Sequence, residues 1–210
     1  MVKELDFALT ALTTLFAVMD PLAILPIFIA VTVNQTPSQQ RRTAKLSTIF
    51  AFFIMTGFAL LGQLTLHMFG ISIDAFRVAG GILLLMIGLE MVHSRVSLVA
   101  HPNIKEYAEA VRAEDVALMP LAMPMLSGPG AITTAMTIVG EGFNPVRIAI
   151  LIGAVGIVLF LTYLLLRSAD RIATRIGSNG IGILTRLMGL LLIAFAVQMG
   201  FDGAKVLLSK

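Results

Sequence analysis

The chain has 210 residues, of which 58% are hydrophobic and only 13% charged. Soluble domains carry about 25% charged residues, so this chain has too little polar surface to cover a water-soluble globule, and lipid must solvate much of its exterior. Its net charge of +3 is spread over short segments between apolar runs, a pattern of membrane orientation and not of a nucleic-acid groove.

Cysteine is absent, which excludes disulfides, thiolate metal sites and cysteine nucleophiles. His67, His93 and His101 show no metal-ligand spacing, and the twelve methionines are unclustered and read as gap-filling apolar residues. No metal and no cofactor is therefore expected.

A helix crossing the bilayer core needs about 20 apolar residues. Six stretches qualify, over residues 7–33, 46–69, 76–93, 117–139, 146–166 and 183–201. Continuous apolar runs of this kind exclude a β-barrel, whose strands alternate. The N-terminus mixes both signs before its apolar run and has no small-residue cleavage site, so it reads as a retained first helix. Thr36 and Pro37 are the expected N-cap and first residue of the second helix. The polar stretch around residues 94–115 divides the chain near its middle. The expected organisation is a first repeat over 1–95, a connecting loop over 96–116 and a second repeat over 117–210, in one membrane domain. A short turn is expected at Gly177-Ser178-Asn179-Gly180.

Lysine and arginine set the orientation. Arg41, Arg42 and Lys45 follow the first helix; Arg95, Lys105 and Arg112 follow the third; Arg167, Arg171, Arg175 and Arg186 follow the fifth. The opposite side holds Lys3, Arg77, Arg147, Lys205 and Lys210. The positive-inside rule places both termini outside the cytoplasm.

The two halves resemble each other. Asp20-Pro21-Leu22-Ala23-Ile24 matches Gly128-Pro129-Gly130-Ala131-Ile132, and Arg77-Val78-Ala79-Gly80 matches Arg186-Leu187-Met188-Gly189. Both matches lie in the same order at nearly the same offset. With three helices per half, the second half must enter the membrane from the opposite side. The expected fold is an all-α polytopic membrane protein, its six transmembrane helices forming two inverted-topology repeats, as in many secondary transporters.

The chemistry gathers where the first helix of each repeat breaks. A carboxylate deep in an apolar run costs about 2.5–3.5 kcal/mol on insertion scales, so Asp20 is expected to have a use. Pro21 and Pro26 each remove a backbone donor, and a residue before proline is pushed from helical geometry. The fourth helix mirrors this with Pro120, Pro124, Ser127, Gly128, Pro129 and Gly130, then Thr133 and Thr134. Free N–H groups of a new half-helix after Gly130 suit an anionic group, while Asp20 and freed carbonyls suit an ammonium group or a cation. Together the breaks offer complementary ends for a zwitterion. Glu90, near the end of the third run, is a second candidate for ion coupling, or else it reaches the interface beside His93. Arg77 and Arg186, at helix starts, read as interfacial anchors.

The residues Met19–Phe28, Arg77-Val78-Ala79-Gly80-Gly81-Ile82, Pro120–Ile132 and Arg186–Gly189 resemble the MarC family. The similarity covers essentially the whole chain, and the Pro-Leu-Ala-x-Pro-x-x-x-Gly-Pro segment from Pro120 is its most specific part. Many family members carry Asn or Asp before the first proline, and Asp20 stands there in this chain. The resemblance implies a six-helix inner-membrane protein, related broadly to amino-acid exporters of the LysE type. Some members of the family transport small neutral amino acids such as glycine and alanine.

The leading expectation is a secondary transporter of such amino acids, working by alternating access and coupled to H+ or Na+, because no ATP-binding motif is present. Asp20, Ser127, Gly128, Gly130, Thr133 and Thr134 would bind substrate, the helix breaks would lie at Pro21, Pro26, Pro124 and Pro129, and Asp20 and Glu90 would serve coupling. Its partners would be the lipid bilayer, the substrate and the coupling ion, with no nucleic acid. A chain this small has room to self-associate into a homo-oligomer. The alternatives are a non-transporting scaffold or regulatory subunit, or an exporter of another small solute. An intramembrane hydrolase would need paired aspartates or a Gly-x-Ser-Gly pattern with a membrane histidine, and neither occurs, so no enzyme is expected.

Overall fold

The computed structural model describes residues 2–93, 113–139 and 144–209, and among these every regular element is helical. Helix α1 spans Val2–Met19 and α2 spans Ile24–Val31. Pro26 lies in the first turn of α2, where its missing N–H has no intrahelical acceptor to lose. Helix α3 spans Pro37–Met68 and begins as the sequence requires. Thr36 Oγ1 accepts from the Gln39 N–H at 3.4 Å, and Gln39 Oε1 accepts from the Thr36 N–H at 2.8 Å. This reciprocal capping box fixes where the chain turns back into the bundle.

Helix α4 spans Ile73–Val92, with the Ser72 hydroxyl accepting from the Ala75 N–H at 3.1 Å. After it come α5 (Ala113–Val116), α6 (Ala117–Leu126, wound in wide π-type turns), α7 (Pro129–Val139), α8 (Pro145–Arg167) and α9 (Ala169–Leu208). Asn144 caps α8 through Oδ1, which accepts from the N–H groups of Val146 and Arg147. The expected connecting loop over 96–116 lies largely outside the described residues, as do Arg95, His101, Lys105 and Arg112. Its described end is the start of α5, where Glu114 pairs with Arg42 of α3.

Helices α3, α4 and α8 and the Thr185–Leu208 part of α9 are long and apolar enough to cross a membrane. They correspond to the second, third, fifth and sixth expected stretches. The first and fourth stretches do not form single long helices. Each is divided, into α1 and α2 and into α6 and α7, because proline and a non-helical residue interrupt the ladder in both. The shorter apolar helix α7 follows the second interruption.

Gly177 is the one break in α9, with φ 69° and ψ 168°. The chain is helical again from Ser178 on, so the turn expected over residues 177–180 shrinks to a single glycine. Only glycine takes that conformation without strain.

The most extensive interface among the described elements joins α4 and α9. It is antiparallel: Gly81 faces Ala196 and Gly200, Gly88 faces Gly189 and Ile193, and the Asp74 end of α4 meets Gly203. A Cβ on Gly81 would stand 2.8 Å from the Ala196 carbonyl oxygen, so the backbones touch there. In lipid, where tails are as apolar as side chains, such close backbone approach is a principal source of helix association. Around this pair, α1 packs on α7 and α8, and α3 packs on α6, α7 and α8.

Candidate functional site

The break between α1 and α2 is centred on Asp20. Its φ of 42° makes it the single described non-glycine residue in the left-handed region. Aspartate tolerates that region better than most residues because its short side chain bonds locally. The Ala23 N–H donates both to Asp20 Oδ1 and to the Asp20 carbonyl, each at 3.2 Å. Pro21 has no N–H, so the Ala17 carbonyl loses the donor it would have four residues on. Asp20 is 6% exposed, and its Oδ2 is buried with no hydrogen-bond partner. A buried polar atom without a partner is costly, and this one carries the spare acceptor of the site.

The second break runs through α6 into α7. Met119 (φ −128°, ψ 124°) and Met123 (φ −131°, ψ 126°) are extended within the segment. Each precedes a proline, Pro120 or Pro124, whose ring forbids helical geometry to its predecessor. Ser127 ends the segment, and both its N–H (2.9 Å) and its hydroxyl (2.7 Å) donate to the Ala122 carbonyl five residues back. Helix α7 then starts at Pro129, a favoured first position. The Ile132 N–H donates to the Gly128 carbonyl at 3.0 Å and is the first to close the ladder. The N–H groups of Gly130 and Ala131 therefore have no carbonyl inside the helix to donate to. Both residues are buried.

The remaining expected site residues are buried, with their hydroxyls engaged. Thr133 Oγ1 donates to the Pro129 carbonyl at 2.8 Å, and Thr134 Oγ1 reaches Met199 Sδ of α9 at 4.0 Å. Ser127, Thr133 and Thr134 are thus bound to the chain and present lone pairs, not free donors. Helix α1 packs on α7, and α2 packs on α6, so the two broken helices are neighbours. No hydrogen bond joins Asp20 to Ser127, Thr133 or Thr134; Asp20 Oδ2 and the α7 amides are separate unsatisfied groups of opposite preference.

Glu90 lies six residues beyond Leu84, which covers Gly130. That is about 9 Å further along α4. Its Oε2 is buried without a partner, so one carboxylate oxygen is turned away from open surface. Among the described residues, no group of three or more His, Cys, Asp or Glu could hold a metal ion.

Two polar features were not read from the sequence as parts of a site. Arg77, taken as an interfacial anchor, has Nη1 3.0 Å from Asp74 Oδ1 and donates from Nη2 to the Thr137 carbonyl of α7 at 3.4 Å. The spacing of Asp74 and Arg77, three apart on a helix, was the available signal. The second is a buried polar seam between α2 and α3. There Thr43 donates to Gln35 Oε1 at 2.7 Å, and Gln40 donates to the Thr32 carbonyl at 3.3 Å. Nothing in the apolar pattern marked it.

Apolar helices of membrane-crossing length, with shorter helices broken around a buried carboxylate, define a multi-pass integral membrane protein. The chain belongs to the MarC family: the model described as MarC family integral membrane protein matches residues 5–208. A UPF0056 membrane protein of Methanocaldococcus jannaschii is 41% identical over 96% of this chain and 98% of its own length. The Bacillus subtilis membrane protein YvbG is 33% identical over 95% of each chain. The Escherichia coli membrane protein YhcE is 34% identical over 91% of this chain and 88% of its own. No solved structure matches the chain significantly. The family resemblance seen in the sequence is thereby established.

Proposed function

We propose that this protein is a secondary transporter of small neutral amino acids, of the size of glycine or alanine, coupled to H+ or Na+. The observation that carries the reading is the pairing of two neighbouring helix breaks with opposite unsatisfied groups. Asp20 brings a buried carboxylate oxygen without a partner. The start of α7 brings two amides that its helix cannot use. A zwitterion meets both needs, its ammonium group at Asp20 and its carboxylate at residues 128–131. The close, buried packing at Gly130 and Thr133 favours a small side chain.

The transport cycle would be alternating access between two inverted three-helix repeats making six spans. The antiparallel course of α4 and α9, the third helices of the two halves, supports that arrangement. So does the recurrence of a break at Asp20-Pro21 and at Gly128-Pro129. Asp20 and Glu90 would serve coupling, and the protein would lie in the cell inner membrane with both termini outside the cytoplasm.

The test is a thermal-stability screen of the purified protein over amino acids, followed by counterflow in proteoliposomes with any hit. A ligand that binds only the folded state stabilises it, by about 2.7 kcal/mol at a hundred times its dissociation constant. Glycine or alanine should raise the melting temperature and exchange across the bilayer. No stabilisation by any amino acid would sink the reading and favour a scaffold or regulatory subunit.

A further inference from the structure

Arg77 stands in the second turn of α4, and its guanidinium bridges two helices. Nη1 donates to Asp74 Oδ1 at 3.0 Å, and Nη2 donates to the Thr137 carbonyl at 3.4 Å. Asp74 is itself buried, at 3% exposure. Thr137 lies toward the C-terminal side of the described part of α7, the direction in which the helix dipole is negative. A guanidinium there satisfies a carbonyl and sits at the favourable pole. From the third side, Gly203 of α9 closes on the junction: a Cβ there would lie 2.7 Å from the Asp74 carbonyl oxygen and 2.9 Å from Arg77 Cβ. Arg77 Nε and Thr137 Oγ1 are buried at the same junction without partners, so the grip on α7 rests on a single donor to its backbone.

The opposite end of α7 is the break at Gly128 and Pro129. From Pro129 to Val139 the helix runs unbroken over 11 residues, about 16 Å, and moves as one rod. Whatever holds its C-terminal end also sets where the amides of Gly130 and Ala131 point. We propose that Arg77, braced by Asp74, is a positioning residue for the candidate ligand site. It grips α7 by the Thr137 carbonyl and fixes the start of that half-helix against α4. This inference rests on the reading of the break as a ligand site, and its test separates the two.

Because the chain has no cysteine, Ala131→Cys introduces a single thiol in the first turn of α7, at a position 3% exposed. Ala154→Cys, in α8 and 5% exposed, is the control. The rate of N-ethylmaleimide labelling is measured on the full-length protein in proteoliposomes. Losing a hydrogen bond from a charged group should speed labelling of Ala131→Cys about tenfold or more in Arg77→Gln, with the control unchanged. Arg77→Lys keeps a charged donor and should restore slow labelling. Should Arg77→Gln fail to fold, Asp74→Asn, which removes the brace, carries the same comparison. Unchanged labelling at residue 131, or an equal rise at both positions, overturns the positioning role. The labelling needs no substrate. If it follows Arg77 while no amino acid stabilises the protein, the grip stands and the ligand assignment falls. If a ligand is found, Arg77→Gln should raise its dissociation constant while Arg77→Lys restores it, and equal affinities in all three proteins overturn the inference.

Discussion

Gly80 of α4 lies against the side chain of Thr133 in α7, and a Cβ built on Gly80 would stand 2.7 Å from Thr133 Cβ. The two helices are therefore tightly packed at the residue that follows the break by one turn. Gly80→Ala must push Thr133 and with it the start of α7. Overpacking of this kind costs about 1–3 kcal/mol, so the melting temperature should fall. Gly57 in α3 has nothing within 4 Å of its would-be Cβ. Gly57→Ala should be neutral or stabilise by about 0.5–1 kcal/mol through helix propensity. Equal melting temperatures for the two variants would refute the close contact.

Asp20 offers a substitution that separates backbone from charge. Asparagine also tolerates the left-handed region that Asp20 occupies, so Asp20→Asn should keep the break and the fold while removing the carboxylate. Its expected effect is lost or uncoupled amino-acid uptake in proteoliposomes. Asp20→Val should instead lower stability, by about 1–2 kcal/mol for a left-handed conformation that valine resists. Gradient-driven uptake by Asp20→Asn at the parent rate would rule out the binding and coupling roles of this carboxylate.

The entry to α3 gives a prediction confined to stability. Thr36 and Gln39 satisfy each other's backbone donors. Thr36→Ala should cost about 1 kcal/mol of unfolding free energy, read as a lower melting temperature. Transport per folded molecule should not change, since the cap is exposed and belongs to neither break.

What the sequence disclosed was whatever obeys a local rule. Proline positions marked Asp20 and the segment from Pro120 to Gly130, because a proline constrains the residue before it regardless of tertiary context. The extended residues Met119 and Met123 follow the same rule but were not singled out. Thr36 and Pro37 marked a cap by the same locality, and apolar length marked α3, α4, α8 and the end of α9. The division of the first and fourth stretches into separate helices followed from those prolines. What stayed hidden depends on which helices meet. Arg77 has the sequence setting of an interfacial anchor, and only the packing of α4 on α7 brings it to the Thr137 carbonyl. The seam at Thr32, Gln35 and Thr43 is similarly invisible, since its hydrogen bonds join residues eight apart across a helix–helix turn. Gly177 read as part of a four-residue turn because dihedral freedom is legible in glycine, whereas resumption of the helix after it is not.

The interface of α4 with α9 should be less forgiving than that of α4 with α7. A Cβ on Gly81 would meet backbone atoms, the Ala196 carbonyl oxygen at 2.8 Å and the Gly200 nitrogen at 2.9 Å. Backbone cannot rotate away as a side chain can, so the helices must separate along their length. Gly81→Ala should therefore lower the melting temperature more than Gly80→Ala does. A smaller fall would mean that α9 shifts freely over α4.

The number of crossings can be settled by thiol labelling, because any introduced cysteine is unique in this chain. Glu4, Ser38 and Ser209 are exposed, at the start of α1, the start of α3 and the chain end. Six crossings with both termini outside would put Glu4→Cys and Ser209→Cys on one face and Ser38→Cys on the other. In intact cells a membrane-impermeant maleimide should then label the first two and spare the third until the cells are opened. The inverted arrangement depends on this parity, since three crossings per half reverse the entry side of the second. Labelling of Glu4→Cys and Ser209→Cys from opposite faces would mean an odd number of crossings. The two breaks would then no longer be related by an inverted repeat, even with α1 still packed on α7.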